Sequence, residues 1–251
     1  MKGYLWVVGT GPGDPEHLTL RARRVLEEAE AVVGYETYLR FLRPLLEGKE
    51  VRAGRMREEM RRAGEALELA RGGKKVALVS GGDAGVYGMA GPLLELRGEG
   101  ADDVEVEVVP GVTALSAAAA LLGAPLMHDF AAVSLSDLLT PWEEIAERLE
   151  ATARADFVIG LYNPASRRRS WQLPRAASII GRYRSPHTPV GVVRNACRPG
   201  QEVKIIPLKD LAALSLDMNS MAIVGNSRTY VCGGRMVTPR GYGSQPGFPV
   251  R

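Results

Sequence analysis

The sequence predicts a two-lobed α/β fold with a mostly parallel N-terminal sheet and a mixed C-terminal sheet. Short β-branched runs alternate with helix-period segments through the first half, as they do in βα units. Three of those runs end in glycine-rich turns that open helices. Beyond Gly123-Ala124-Pro125 the pattern changes, with closely spaced strand candidates and fewer long helices. A chain of 251 residues has room for one large α/β unit or two small ones. The change of pattern divides it into an N-terminal lobe over residues 1–123 and a C-terminal lobe over residues 124–251.

In chain order, Leu5 to Val8 reads as a buried strand. Ala22, Val25, Leu26 and Ala29 recur at helical spacing, and Ala31-Val32-Val33 gives a second strand ended by Gly34. A charged helix is expected from about Met56 to Arg71, with Glu58 and Arg62 as an i,i+4 ion pair. Val76 to Val79 and Val104 to Val109 are further strands, and an alanine-rich helix covers Ala117 to Leu122. The second half offers strands at Phe130 to Leu135, Phe157 to Tyr162, Val190 to Val193, Val203 to Ile206, Met221 to Val224 and Thr229 to Cys232. The Gly/Pro-rich end from Gly241 reads as a loose tail.

A hydrophobic content of 45% with 24% charged residues excludes disordered and fibrous classes. The net charge of +3 comes from bases interleaved with acids, which argues against a nucleic-acid partner. Cys197 and Cys232 have no C-x-x-C and no paired histidines beside them, so no metal site is expected and a reduced, cytoplasmic protein is. The N-terminus lacks a signal-peptide pattern. The small-apolar stretch from Val112 to Met127 is broken by Ser116, Gly123 and Pro125, so no membrane span is expected.

The chemistry is expected at the turns. Gly9-Thr10-Gly11-Pro12-Gly13-Asp14 follows a strand and precedes a helix, as a dinucleotide-binding turn does. Its third glycine comes one residue early, however, and Pro12 removes an amide NH that a pyrophosphate would need. A tight turn with a purely structural role stays open on these residues alone. Ser80-Gly81-Gly82-Asp83-Ala84-Gly85-Val86-Tyr87-Gly88 presents little side-chain bulk, and its glycines allow close backbone approach to a flat ligand. Asp83 is either an acceptor for a ligand hydroxyl or ammonium, or a helix cap. Val109-Pro110-Gly111-Val112-Thr113-Ala114 is the third turn. Three such strand ends in one sheet point to one ligand crevice, since open α/β sheets bind ligands outside the carboxyl ends of their strands. No P-loop pattern occurs around Lys74-Lys75.

In this order, G-x-G-P-G-D with Leu18-Thr19, S-G-G-D-x-G-V-Y-G and P-G-V-T-A resemble the signature of the S-adenosylmethionine (SAM)-dependent tetrapyrrole methyltransferases. Gly34-Tyr35-Glu36-Thr37-Tyr38, His128-Asp129-Phe130, Ser134 to Trp142, Leu161 to Ser166 and Val237 to Tyr242 are similar to the branch of that family that methylates C-17 of a corrin precursor. The resemblance extends to about Tyr242.

It implies a tetrapyrrole methylase fold with SAM in the cleft between the lobes, a homodimer, an anionic tetrapyrrole substrate, and S-adenosylhomocysteine as product. Carried over residue by residue, it implies cofactor contacts from Pro12, Gly81, Gly82, Asp83, Val86, Tyr87, Thr113 and Ala114. From the second half it adds Leu161, Tyr162, Asn195, Ala196, Ser220, Met221 and Ala222. The reaction is expected to be methylation at C-17 with ring contraction, in cobalamin biosynthesis. Another corrin-pathway methyltransferase, a dinucleotide-dependent oxidoreductase and a non-catalytic tetrapyrrole-binding subunit are the alternatives. Ring contraction moves protons, and the acid/base candidates are Asp14, Tyr35, Ser134, Ser136 and Asp137. Asp14 before Pro15 also suits a helix N-cap, Asp137 a turn cap, and Tyr35 a half-buried aromatic. His128 reads as a packed, hydrogen-bonded histidine, and Arg167-Arg168-Arg169 either as a carboxylate-binding cluster or as a solvated charge run.

Overall fold

A computed structural model describes residues 3–98, 104–166 and 169–242. Most of the expected tail and the Arg167-Arg168 pair lie outside the described residues. The chain divides into two compact units, Met1–Ala114 and Leu115–Arg251. The lobe boundary expected after Gly123 thus lies nine residues beyond the division at Ala114.

The first unit holds a five-stranded, wholly parallel sheet in the order β3-β2-β4-β1-β5, formed by β1 (Tyr4–Gly9), β2 (Ala31–Tyr35), β3 (Glu50–Gly54), β4 (Lys75–Ser80) and β5 (Glu105–Val109). The central strands are apolar on both faces because both are covered. Leu5, Val7, Val76 and Leu78 face one core with Ala63, Ala66, Leu67 and Leu93. These come from α3 (Glu59–Arg71) and α4 (Ala90–Arg97). Trp6, Val8, Ala77 and Val79 face the other core, with Ala22, Val25 and Leu26 of α1 (Leu20–Glu28) and Leu39 of α2 (Glu36–Phe41).

From β1 the chain leaves to α1 on one face and reaches β2. From β4 it leaves to α4 on the opposite face and crosses β1 to reach β5. Adjacent β1 and β4 therefore form the switch point of the sheet, where an open α/β sheet receives its ligand.

At this switch point the turns meet backbone to backbone. Gly11 and Gly82 exchange reciprocal hydrogen bonds, Gly11 N to Gly82 O at 3.0 Å and Gly82 N to Gly11 O at 2.7 Å. A Cβ on Gly111 would stand 2.3 Å from Gly82 O, and one on Gly9 would stand 2.7 Å from Gly111 N. These glycines serve the approach of one turn to another.

The charged helix begins at Glu59, three residues later than expected, and this overturns the predicted Glu58–Arg62 pair. Glu58 instead pairs with Arg61 at 2.5 Å. The later start turns Arg62 inward, where it is buried beside Gly54, donates to Arg55 O, and pairs with Glu59 at 3.2 Å.

The second unit carries a mixed sheet in the order β10-β9-β11-β8-β7, built from β7 (Phe130–Ser134), β8 (Val158–Tyr162), β9 (Pro189–Arg194), β10 (Glu202–Pro207) and β11 (Ser220–Val224). Only β7 and β8 run parallel. One face packs Ile159, Leu161, Val190 and Val192 against α6 (Trp142–Arg154) and α7 (Gln172–Gly181). Neither helix was expected, although Trp142, Ile145, Ala146, Leu149 and Ala153 keep helical spacing.

The other face receives α5 (Ala114–Leu122), whose Leu115 and Leu122 lie over Gly160 and Gly191, where any Cβ would collide with them. Tyr162 Oη accepts the amide of Leu115 at 3.2 Å. These contacts bind the helix to the second sheet, and this is why the division falls before Leu115. A small third sheet joins β12 (Tyr230–Cys232) and β13 (Arg235–Val237) to β6 (Gly123–Ala124). Its two-residue Gly233-Gly234 turn has both φ angles positive, as a type I′ hairpin requires.

Two stability predictions follow from the first unit. Gly111→Ala should cost about 3 kcal/mol, because its Cβ meets rigid backbone. Gly64→Ala in α3, where the nearest atom is Leu96 Cδ2 at 3.8 Å, should add about 0.5–1 kcal/mol. Urea midpoints check both, and equal midpoints for the two variants would refute the close approach.

Glu107 gathers Arg21 (2.6 Å), Tyr4 Oη (3.1 Å) and Trp6 Nε1 (3.1 Å), tying α1 to β1 and β5. Arg21 above all, against the opposing effect of partial burial, holds the carboxyl below its ordinary value. A depressed folded value contributes stability above the unfolded glutamate range near pH ~4.3 and loses it as pH falls through the folded value. The stability gap between wild type and Glu107→Gln should therefore be constant near neutrality and shrink in acid, in denaturation curves measured across pH.

Candidate active site

In the first unit the expected site residues gather at the carboxyl ends of β1, β2, β4 and β5. Thr10 N and Oγ1 both donate to Ser80 O, at 2.9 and 3.0 Å, so the first turn is fastened to the end of β4 before the Gly11–Gly82 exchange begins. Pro12 is buried directly after it. Asp14 Oδ1 accepts Glu16 N at 2.9 Å and caps the short 3-10 turn Pro15–His17, with proline at its start. The capping role expected for Asp14 is present.

Asp83 is not the cap of the following helix, which begins only at Ala90. Its Oδ1 accepts Gly85 N at 2.8 Å and its Oδ2 accepts Gly111 N at 2.9 Å, so one carboxylate joins the second turn to the third. A carboxylate has about four acceptor sites, and two are used by these bonds. The half-buried side chain keeps acceptor capacity toward a ligand. Beyond it, Val86 and Tyr87 are exposed, and Tyr87 has φ +53°. A non-glycine residue held in the left-handed region costs on the order of 1 kcal/mol, and such strain clusters at ligand sites.

Tyr35 ends β2 half-buried and meets Tyr38 edge-on, with centroids 5.3 Å apart at 87°. The Tyr38 ring lies over Gly81, where a Cβ would stand 2.5 Å from its Cζ. Thr10 and Tyr38 thus belong to the site although neither was assigned from sequence. Tyr38 closes the Gly34-to-Tyr38 motif and Thr10 is the hydroxyl residue inside the first turn, which are the available signals. Thr113 and Ala114 pass beside Gly82, whose Cβ would stand 3.7 Å from Thr113 Cα.

In the second unit the strand directions bring Ser134, Tyr162, Asn195, Ser220 and Met221 to one edge of the sheet. Parallel β7 and β8 end there, and antiparallel β11 starts there with Ser220 opposite Arg194 at the end of β9. Leu161 and Ala222 are paired one step in, both buried. Asn195, followed by half-buried Ala196, has φ +50° and its Nδ2 donates to Gly200 O at 3.2 Å. The Ser220 hydroxyl is spent internally, donating to Asp217 Oδ1 at 2.8 Å.

The end of β7 and the loop after it carry three of the expected acid/base residues. Ser134 Oγ accepts Ser136 N at 3.2 Å and Asn163 Nδ2 at 3.0 Å. Asp137 Oδ2 accepts Gln172 Nε2 at 3.0 Å, while Gln172 Oε1 is buried with no partner among the described residues.

Arg169 departs from both readings of its arginine run. It is buried, and its Nη1 donates to Leu135 O at 2.7 Å and Asn163 O at 2.8 Å. Burial lowers the pKa of its guanidinium, and the Asp137 carboxylate partly opposes this. A run of three arginines gave no sign that its third member turns inward. His128 is half-exposed, its Nδ1 accepting Asp129 N at 2.8 Å, so it is hydrogen-bonded without being packed inside.

The assembled groups are turn backbones, carboxylates and hydroxyls. Such a set can orient a polar ligand and move a proton. The chain matches the family described as Tetrapyrrole (Corrin/Porphyrin) Methylases over residues 4–212. It is 50% identical over 238 residues to a probable cobalt-factor III C(17)-methyltransferase of Salmonella typhimurium, covering 95% of this chain and 99% of that one. It spans about half the length (46%) of another relative, matched at 48% identity over 96% of this chain.

Among solved structures, the methyltransferase CobJ superposes with a TM-score of 0.89 at 37% identity, covering 94% of this chain and 100% of that one. The uroporphyrin-III C-methyl transferase of Thermus thermophilus, complexed with S-adenyl homocysteine, gives 0.68 at 30% identity over 89% and 97% of the two chains. With its strand-end turns placed as described and its sequence matched along nearly its whole length, the chain belongs to the tetrapyrrole methylase family.

Proposed function

We propose that this chain transfers a methyl group from SAM to C-17 of a precorrin-3B or cobalt-precorrin-3 type tetrapyrrole, with associated ring contraction, in cobalamin biosynthesis. The observation that carries the cofactor half is the fused set of turns at the β1/β4 switch point, which pairs its amides internally and carries a proline where a phosphate would need a donor. Such a site suits a ligand without phosphate. SAM fits, because Asp83 offers a carboxylate to a cation or hydroxyl and the exposed Val86 and Tyr87 offer apolar surface.

Pro12, Gly81, Gly82, Asp83, Val86, Tyr87, Thr113 and Ala114 are the proposed cofactor residues of the first unit. Leu161, Tyr162, Asn195, Ala196, Ser220, Met221 and Ala222 are carried from the second unit on the resemblance alone. Ser220 already uses its hydroxyl on Asp217, so it is assigned to contact by backbone and shape, while Tyr162 Oη accepts the Leu115 amide.

Bound SAM supplies a methyl group on a sulfonium sulfur. Methyl transfer is an in-line displacement, so the contribution required of the chain is positioning and exclusion of water, with no side-chain nucleophile. Ring contraction adds proton movement, and Asp14, Tyr35, Ser136 and Asp137 are the proposed acid/base groups, with Asp137 held by Gln172. Ser134, at the end of β7 before that loop, is the fifth acid/base candidate. A cytoplasmic homodimer is part of the reading, the homodimer supported by the resemblance and the cytoplasm by Cys197 and Cys232, which form no disulfide among the described residues. Among the described residues no helix is long and apolar enough to cross a membrane.

The test is incubation with SAM and each candidate precursor, followed by product mass and NMR assignment of the new methyl. Methylation at another carbon would move the chain to a different corrin-pathway reaction. A separate prediction concerns division of labour. Asp83→Ala should weaken SAM binding about tenfold or more, since it releases both turns it joins and loses an acceptor. Asp14→Ala should leave SAM affinity within about threefold while slowing turnover. Calorimetric titration beside initial rates checks this, and equal losses of affinity would refute the assignment.

A further inference from the structure

Ser134 closes β7 and Asn163 follows β8, on neighbouring parallel strands whose register pairs Ser134 with Tyr162. A serine hydroxyl has two lone pairs and one proton. Here both lone pairs are occupied, by Asn163 Nδ2 and by Ser136 N. What Ser134 can still offer is its O–H, and it offers it from a half-buried position.

The donor that fixes it is itself held. Asn163 has φ +50°, a conformation that asparagine tolerates, and its carbonyl accepts from Arg169. The same Arg169 nitrogen reaches Leu135 O on the other strand end, and Leu135 N donates to Tyr162 O at 2.9 Å. Arg169 is anchored in turn by reciprocal backbone bonds with Ser166, at 2.9 and 3.1 Å. One buried cation thus sets the spacing of the two strand ends that carry Ser134 and its partner.

We propose that Asn163 and Arg169 are positioning residues that fix Ser134 as an obligate hydrogen-bond donor to a carboxylate of the tetrapyrrole substrate. This rests on the methyltransferase reading and narrows it, removing Ser134 from the proton acceptors. A carboxylate accepts only, so it is the substituent that a pure donor selects, and such bonds to a charged acceptor are the stronger class. SAM also carries a carboxylate, so the test reads both ligands.

The tetrapyrrole dissociation constant is measured by absorbance titration, and the SAM constant by calorimetry. The chains compared are wild type, Ser134→Ala, Asn163→Gly, Arg169→Lys and the Ser134→Ala/Arg169→Lys double variant. Asn163→Gly removes the amide donor and leaves a residue that accepts φ +50° without strain. Ser134→Ala and Asn163→Gly should each weaken tetrapyrrole binding about tenfold and leave SAM within about twofold. The double variant should be no weaker than Ser134→Ala alone, because coupled residues do not add. Turnover of Ser134→Ala should keep the wild-type pH profile.

Additive losses in the double variant, a shifted pH profile, wild-type binding by Asn163→Gly, or a loss confined to SAM would each overturn the proposal. If Arg169→Lys does not fold, Asn163→Gly with Ser134→Ala forms the same cycle. Binding is read without turnover, so a wild-type chain that binds the tetrapyrrole and transfers no methyl refutes the methyltransferase reading and leaves this test standing.

Discussion

The carbonyl oxygen of Gly82 is the point about which the first unit's strand ends are arranged. It accepts the amide of Gly11, and the α-carbons of Gly9 and Gly111 crowd it so closely that a methyl on either would stand within 3 Å of it. Two turns reach the carbonyl of a third, and each does so with glycine. The Asp83 carboxylate completes the arrangement by taking the amides of Gly85 and Gly111. The polar backbone atoms at this end of a parallel sheet would otherwise need water or a ligand. Here they are largely paired with one another, and this makes the surface rigid before any ligand arrives.

The second unit solves the same problem with side chains. Its edge is mixed in strand direction, so no set of parallel turns is available to knit together. A buried guanidinium spans the carbonyls of Leu135 and Asn163, and Asn163 passes the constraint to Ser134. At the opposite end of this sheet Arg184 does comparable work, donating to Ala153 O at 2.5 Å and Phe157 O at 2.9 Å with Asp156 beside it at 3.1 Å. Arginine suits this role because its planar fork reaches several acceptors in fixed directions and stays charged when buried. Both sheets thereby present preset donors and acceptors, which is what the proposed reaction, governed by positioning, would require.

The fold was legible where burial leaves a period. β1, β2 and β4 are apolar on both faces and read as uninterrupted runs, and the glycines at or near their ends are there for a reason that sequence alone states correctly in kind. Sequence leaves out a second cause: Gly9, Gly82 and Gly111 also approach one another. It also misses what long-range contact decides. Arg62 and Arg169 lie in charged stretches that look solvated, yet each turns inward to satisfy backbone carbonyls, Arg169 reaching as far as Leu135 O. α5 reads as the end of the first lobe, but Leu115 and Leu122 fit the gaps left by Gly160 and Gly191, two glycines more than thirty residues further along. Helical period marks an apolar face without naming the sheet that will cover it.

The same distinction separates two kinds of site residue. Glycines that pack turn against turn fix shape, and their loss is felt first as stability. Residues that project from the fixed turns carry the surface that a ligand would meet. In the first unit these are Asp83, Val86 and Tyr87, the last held in a left-handed conformation that its side chain does not favour. In the second unit Ser134 is presented with its acceptor capacity already consumed. An amide or hydroxyl whose other valences are filled by the protein has a single remaining direction and a single remaining role. Under the proposed function, selectivity for one tetrapyrrole among several similar ones is a question of which substituent can meet a donor where only a donor is offered.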